Sequence, residues 1–255
     1  MLTIYYILEY TRSEGVEEMR KFALCLVMLL MVASPASACI GARQAAMGWC
    51  GVAISDDATC SYWNPAALVW AKDGVLWENI SHKTVFAIKE DNCGFHYVDA
   101  WDKTYFAFSY AVPFVHSSSF GINIGVMEQD YLTSDWMECF YRDGKRLSLD
   151  LSYFIKYGSI SCGLLAQDLG NIRPGLSYSN NFLVAAVEYY DMFDVLDMRC
   201  WRFGIELNPV SPLSLRFGYN EDDGNSYGIG FEVSFGKFDV VLYRENFYYS
   251  ISLFL

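Results

Sequence analysis

The sequence has few of the features that mark an enzyme, a metalloprotein or a nucleic-acid-binding protein. It holds only three histidines, His82, His96 and His116, and their positions match no metal-ligand spacing. It has no P-loop, no dinucleotide-binding fingerprint and no G-x-S-x-G nucleophile motif. Lys and Arg number 18 against 30 Asp and Glu, and this acidity excludes the basic surface that nucleic acids require. We therefore predict no enzymatic activity, cofactor, metal site or nucleic-acid partner.

Two acidic clusters are candidates for sites of chemistry. Asp56 and Asp57 are adjacent in a predicted turn and so point in different directions, which favours capping or pairing with Arg43 over a role as an acid/base pair. The run Glu221-Asp222-Asp223 has the composition of a weak calcium site, but a solvated hairpin tip is the simpler interpretation.

Long helical patterns are also missing after residue 38, and charged residues make up only 19% of the chain. Apolar residues instead recur at every second position, as in Trp201, Phe203, Ile205 and Leu207, a period that indicates strands. Short turn signals separate the strands, so neighbouring strands are predicted to pair as antiparallel hairpins in a closed meander. These signals are Asp143-Gly144, Asn208-Pro209 with Ser211-Pro212, Asp223-Gly224-Asn225 and Gly236-Lys237. The opposite face of these strands carries mostly Gly, Ser, Asn and Ala with isolated charges. A soluble β-sandwich would carry more charge on its second face, so this pattern favours a membrane barrel with a narrow lumen. The soluble sandwich is the alternative fold. The aromatic content of 17% is typical of the girdles of such barrels.

Residues 19–38 have the charged, apolar and A-x-A regions of a secretory signal peptide, with Ala36 and Ala38 before a cleavage site that leaves Cys39 first. Residues 1–18 do not fit this pattern, and we interpret them as an extension that arises because the start of the gene was assigned too far upstream. The alternative is that the N-terminus is an anchor that is not cleaved. A Cys directly after the cleavage site also suggests lipidation of Cys39. A lipoprotein signal usually has Leu three residues before that Cys, however, and Ala36 stands there, so we favour cleavage without lipidation. Cys50 and Cys60 could form a disulfide, because export would expose them to oxidation, or they could be two small apolar side chains.

The segment that follows the leader is compact and rich in Gly and Ala. Asn64 is a good N-cap and Pro65 suits a first helical turn, so a short helix is predicted to begin at Pro65, and Ser55-Asp56 can cap a turn before it. Arg43 and the two Asp need partners if this segment is buried. The polar faces of the strands offer such partners: Asp150, Arg202, Glu206, Arg216 and Glu232.

This segment resembles the N-terminal signature of the bacterial outer-membrane barrels that include the FadL-type transporters of hydrophobic compounds and the PorV and PorQ proteins of type IX secretion. Ala67 departs from the Gly that is frequent in the family, and the chain is shorter than typical members. The matching residues are Gly41, Ala42, Arg43, Met47, Gly48, Val52, Ala53, Asp56, Asp57, Ala58, Trp63, Asn64, Pro65, Ala66 and Leu68.

The resemblance implies an all-β fold, an antiparallel transmembrane β-barrel of about 10–14 strands in the bacterial outer membrane. Residues 39–72 would form an N-terminal plug inside the lumen, and residues 73–255 would form the barrel. The implied partners are outer-membrane lipid, the assembly machinery that reads the amphipathic last strand, and either secretion-system proteins or a small hydrophobic compound. The implied plug and gating residues are Gly41, Arg43, Gly48, Asp56, Asp57, Trp63, Asn64, Pro65 and Ala66. A channel and a secretion-associated barrel both fit, and a secreted β-sandwich with a binding or structural role is the alternative.

Overall fold

The computed structural model describes residues 41–54, 56–80, 83–100, 103–115, 117–129, 141–142, 145–193, 199–243 and 246–254. The predicted upstream extension, the signal peptide and its cleavage residues Ala36, Ala38 and Cys39 lie outside the described residues. Ser55, His82, His116 and the predicted turn at Asp143-Gly144 also lie outside them.

Fourteen antiparallel strands form one closed sheet, and a two-residue strand, β6, adds to its rim. Alternation of apolar and small or polar residues runs through these strands, which is the pattern that a two-faced sheet requires. The strands are β1 (Gly74–Ile80), β2 (Lys83–Glu90), β3 (Cys93–Ala100), β4 (Lys103–Val115), β5 (Ser118–Gln129), β6 (Tyr141–Arg142), β7 (Lys145–Tyr157), β8 (Ile160–Gln167), β9 (Asn171–Ser179), β10 (Leu183–Tyr190), β11 (Cys200–Val210), β12 (Leu213–Asn220), β13 (Gly224–Val233), β14 (Gly236–Tyr243) and β15 (Asn246–Phe254).

The sheet closes because the first and last strands pair. Trp77 of β1 lies opposite Ile251 of β15, and every other barrel strand pairs with the barrel strands next to it along the chain. Across the long connection that follows β5, Ile122 lies opposite Leu151 of β7. The predicted barrel is therefore confirmed, with 14 strands, and the two-sheet sandwich is excluded. In the described part of the chain, no helix has the length and apolar character needed to cross a membrane.

The wall has its apolar side chains outside and its polar side chains inside. On β12, Leu215 and Phe217 are exposed on the outer face, whereas Ser214 and Arg216 are buried on the inner face. Such an arrangement is the reverse of a soluble protein and matches a sheet that contacts lipid on its outer face. The strands thus position a ring of polar and charged side chains around the lumen.

Two predicted turns differ from the structure. Ser211 and Pro212 make the predicted turn after β11, but Asn208 and Pro209 belong to the strand itself, because β11 continues through an irregular register after Leu207. The turn expected at Gly236-Lys237 is made by the two preceding residues, and Gly236 already pairs with Val233.

The outward position of Ile229 predicts a large cost for a charge there. Ile229 is 56% exposed on β13, between Leu215 and Val240 on the neighbouring strands. Ile229→Arg should destabilise the folded barrel by about 2–4 kcal/mol if the residue lies near the bilayer midplane. Folding titrations into lipid vesicles measure this cost. Ser234→Arg, in the exposed turn that follows β13, is the control and should change stability little. Equal small effects at both positions would contradict the membrane-facing assignment.

Candidate functional site

Residues 41–72, which we call the lumen segment, lie inside the barrel. The segment forms three short helices: α1 (Ala42–Ala46), α2 (Cys60–Trp63) and a 3-10 helix (Pro65–Val69). Most of its described residues are buried. Their hydrogen bonds reach eight of the fourteen strands around the wall. The wall residues concerned are Glu78, Ser109, Ser119, Ser152, Ser177, Glu188, Glu206 and Ser226.

A buried chain of ion pairs joins α1 to the wall. The Arg43 guanidinium donates from Nε to Glu206 Oε2 over 2.8 Å and also pairs with Asp56 of the lumen segment. Glu206 accepts from Arg216 Nε over 2.5 Å, and Arg216 pairs with Asp239 over 2.7 Å. All of these groups except Asp56 are nearly inaccessible to solvent. Because an unpaired charge is costly in such a place, the network fixes the position of α1.

A second carboxylate, Glu188 of β10, holds the backbone of the lumen segment directly. Its Oε2 accepts the backbone N–H groups of Gly51 and Val52 over 2.9 and 3.0 Å. Its Oε1 accepts from Arg173 Nε over 2.9 Å, and Arg202 lies 3.6 Å from the same oxygen. Glu188 therefore satisfies two buried backbone donors of the lumen segment.

The Asn64 turn is the third anchor. The Asn64 side-chain oxygen accepts from the backbone N–H of Ala66 over 3.1 Å, and Pro65 opens the 3-10 helix, as the predicted helix start requires. Asn64 Nδ2 donates to the Val52 carbonyl over 2.7 Å, which ties two parts of the lumen segment together. Ser119 of β5 donates to the Ala66 carbonyl over 2.6 Å, and Ser152 of β7 accepts from the Ala66 N–H over 2.9 Å.

Glycines in the wall let the lumen segment approach the strands closely. A Cβ atom at Gly121 would lie 2.1 Å from Ala66 N, and one at Gly163 would lie 2.1 Å from the Val52 carbonyl oxygen. Gly48 has a φ of +65°, and a Cβ there would meet the backbone of β11 and β12 at 2.5–2.7 Å. Backbone thus packs against backbone at these points, which only Gly permits.

The remaining predicted residues have separate roles. Asp56 pairs with Arg43, whereas Asp57 Oδ1 accepts from the backbone N–H of Thr59 over 2.9 Å at the start of α2. Both predicted roles of the acidic pair are therefore present, the ion pair with Arg43 at Asp56 and the local capping at Asp57. Trp63 is buried and stacks on Trp49, with ring centroids 6.5 Å apart.

The two cysteines of the lumen segment act as small buried side chains. Cys50 and Cys60 are both free thiols, so the suggested disulfide is not formed. Burial raises the pKa of each thiol well above its usual value, which keeps the sulfur neutral. Among the residues that the structure describes, no group of three or more His, Cys, Asp or Glu is placed to hold a metal ion.

Of the wall partners expected from the sequence, Glu206 reaches Arg43 directly and Arg216 supports it. Glu232 pairs instead with Lys72, where both side chains are exposed. Glu78 and Glu188 contact the lumen segment but were not predicted. Each is the single charged residue of its strand and stands among mainly apolar residues, and this signal could have found them.

The barrel fold is shared with solved structures of transporters. The toluene transporter TbuX of Ralstonia pickettii superposes with a TM-score of 0.55 and 11% identity, over 84% of this chain and 96% of that chain. The CymD monoaromatic hydrocarbon channel superposes with a TM-score of 0.55 and 10% identity, over 83% of this chain and 95% of that chain. The toluene transporter TodX of Pseudomonas putida superposes with a TM-score of 0.55 and 10% identity, over 86% of this chain and 97% of that chain. The chain has the fold of these transporters.

Identities this low establish the fold alone. No protein-family model matches the chain, and no curated protein matches it. The similarity agrees with the FadL-type half of the predicted resemblance and does not single out the PorV and PorQ proteins.

The close approach at Gly163 predicts a sharp effect of one methyl group. Gly163 and Gly175 are direct partners on β8 and β9, yet a Cβ at Gly175 would meet its nearest neighbour, Ala53 or Val52, only at 3.3 Å. Gly163→Ala should therefore displace the lumen segment at Val52, whereas Gly175→Ala should be accommodated by a small shift. Hydrogen exchange of residues 50–54 measures the displacement. Equal exchange in the two variants would contradict the described packing.

Proposed function

We propose that the protein is an outer-membrane channel for small hydrophobic compounds and that the lumen segment is its gate. The observation that carries this proposal is a membrane barrel whose lumen is filled by a segment held by the wall. The proteins that share the fold are named as toluene transporters and a monoaromatic hydrocarbon channel. The leader supports export, with the mature chain beginning at Cys39, and the exposed apolar face of β15 would be read by the assembly machinery.

The distribution of apolar surface supports a gate that moves. The wall lines the lumen mainly with Ser, Asn and charged residues, and its apolar side chains there are packed against the lumen segment. Trp49 and Trp63 of this segment, for example, pack against Val241 and Tyr243 of β14. These side chains are at most 5% exposed, so a compound reaches them only if the lumen segment shifts.

The anchors are of a strength that permits such a shift. Most of them are single hydrogen bonds, each with a net contribution of about 1 kcal/mol. The charges of Glu206 and Glu188 would remain paired with Arg216 and Arg173 if the lumen segment moved away. Release of the segment would thus leave the wall carboxylates compensated, although Arg43 would need water or its partner Asp56.

The secretion-associated alternative would need a docking face for exported proteins. Gly41, Arg43 and Trp63 of the matching N-terminal signature are buried in the lumen and are not placed to bind a large partner. We therefore favour the channel, and the experiment below separates the two roles.

Deleting residues 41–68 should leave an inserted barrel with higher conductance in planar bilayers and faster toluene entry into vesicles. The milder Asn64→Ala variant loses the cap of the 3-10 helix, worth about 1 kcal/mol, and should raise the open fraction about fivefold. Ser234→Ala, in an exposed turn, is the control. An inserted deletion variant with unchanged conductance would show that the segment does not block the lumen. Raised ionic conductance without toluene entry would favour the secretion-associated role.

A further inference from the structure

His96 is a buried polar side chain of the wall whose hydrogen bonds are not made. It lies on β3, faces the lumen and is 0% exposed, and neither ring nitrogen has a hydrogen-bond partner among the residues that the structure describes. In either neutral tautomer, the imidazole ring offers one N–H donor and one acceptor nitrogen. Buried polar groups of folded proteins are normally paired, so His96 has an unused capacity to bind a polar group.

Two phenol rings flank the imidazole ring. The Tyr105 ring on β4 has its centroid 5.1 Å from that of His96, and the Tyr62 ring on α2 has its centroid 5.5 Å away and stands nearly perpendicular to the imidazole. Tyr105 is fixed to the wall, because its hydroxyl accepts from Asn123 Nδ2 over 3.1 Å and lies 3.3 Å from Ser148 Oγ. Tyr62 belongs to the lumen segment, so it leaves His96 when the proposed gate moves.

The space that the Tyr62 ring occupies has the lining of a small-molecule site. It is bounded by His96 and by an apolar cluster against which Tyr62 packs. The cluster consists of Ala58, Leu76, Val85 and Ala87. Ligand pockets are typically apolar, with a small number of polar groups that fix the orientation of the ligand. The tyrosine side chain is a phenol with a carbon atom opposite its hydroxyl, so the space has the size of p-cresol.

We propose that the space vacated by Tyr62 is a binding site for phenols and that His96 recognises their hydroxyl group. The ring of the compound packs against the apolar cluster, and its hydroxyl donates to the acceptor nitrogen of His96 or accepts from its N–H. A hydrocarbon of the same shape, p-xylene, leaves His96 unpaired. The inference rests on the proposed function and specifies which small hydrophobic compounds the barrel selects, namely aromatic rings that carry a hydroxyl.

The Tyr62→Ala variant tests the site without movement of the gate, because it empties the space while the lumen segment stays in place. Equilibrium dialysis measures the binding of p-cresol and of p-xylene to the purified full-length barrel in one detergent. The readout is the affinity for p-cresol divided by that for p-xylene, since the two compounds differ only in the hydroxyl that replaces a methyl group. In the Tyr62→Ala background, His96→Phe should lower this ratio about fivefold or more, because the bound hydroxyl loses a hydrogen bond.

Two further variants in the same background separate recognition from packing. Tyr105→Phe removes a hydroxyl that already bonds to the wall, so it is the matched control and should leave the ratio unchanged. His96→Gln keeps a donor and an acceptor and should preserve most of the ratio. Heat-modifiable migration on gels checks that each variant is folded.

An unchanged ratio in the folded His96→Phe barrel, or a ratio that falls in Tyr105→Phe instead, would overturn the proposal. Failure of both compounds to bind the Tyr62→Ala barrel would also overturn it, while leaving the conductance test of the channel unaffected. Binding of p-cresol to the Tyr62→Ala barrel but not to the wild-type barrel would support the site and count against the movement of the gate. Failure of the site and failure of the channel are therefore distinguishable.

Discussion

The pairing of β1 with β15 is the constraint on which the rest of the structure depends. A strand edge in hydrocarbon would leave a row of backbone N–H and C=O groups without partners, so the sheet must close. Closure divides the side chains into an outer set, which is apolar, and an inner set, which is polar and faces a confined lumen. The confined lumen then needs a segment that matches its polar side chains in charge and shape.

The lumen segment meets this need through two complementary features. Its charged and backbone groups match wall carboxylates, as Arg43 does with Glu206 and Gly51 does with Glu188. Its shape matches wall glycines, such as Gly121 and Gly163, where a single methyl group would collide with backbone. The charges select where the segment sits, and the glycines allow it to fit. Both features are specific to one position, which is what a gate with a defined closed state requires.

Much of the wall could be predicted from the sequence because period two is a local signal. The alternation in β11, β12 and β13 gave the outer face correctly, and closure followed from short hairpins. The Asn64-Pro65 start was also predictable, since capping depends on neighbouring residues. The sequence predicted only a range of strand numbers, because the ends of strands cannot be located from the sequence where the register is irregular, as it is after Leu207.

The partners inside the lumen were harder to predict. Glu188 and Gly51 are 137 positions apart, and nothing local indicates that they meet. The same holds for Gly41 and Glu78, where the sequence shows only one acidic residue in an otherwise apolar strand. The glycines of the strands do not indicate by themselves that the lumen segment packs against them, because this contact exists only in the closed barrel.

Locking the lumen segment to the wall tests the proposed gate most directly. The Ala53 Cβ lies 3.3 Å from the position of a Cβ at Gly175, close to the spacing that a disulfide needs. In the Ala53→Cys, Gly175→Cys double variant, oxidation should abolish toluene entry into vesicles and reduction should restore it, whereas each single variant should be insensitive to oxidant. Undiminished toluene entry through a barrel shown by mass to be fully cross-linked would contradict the account.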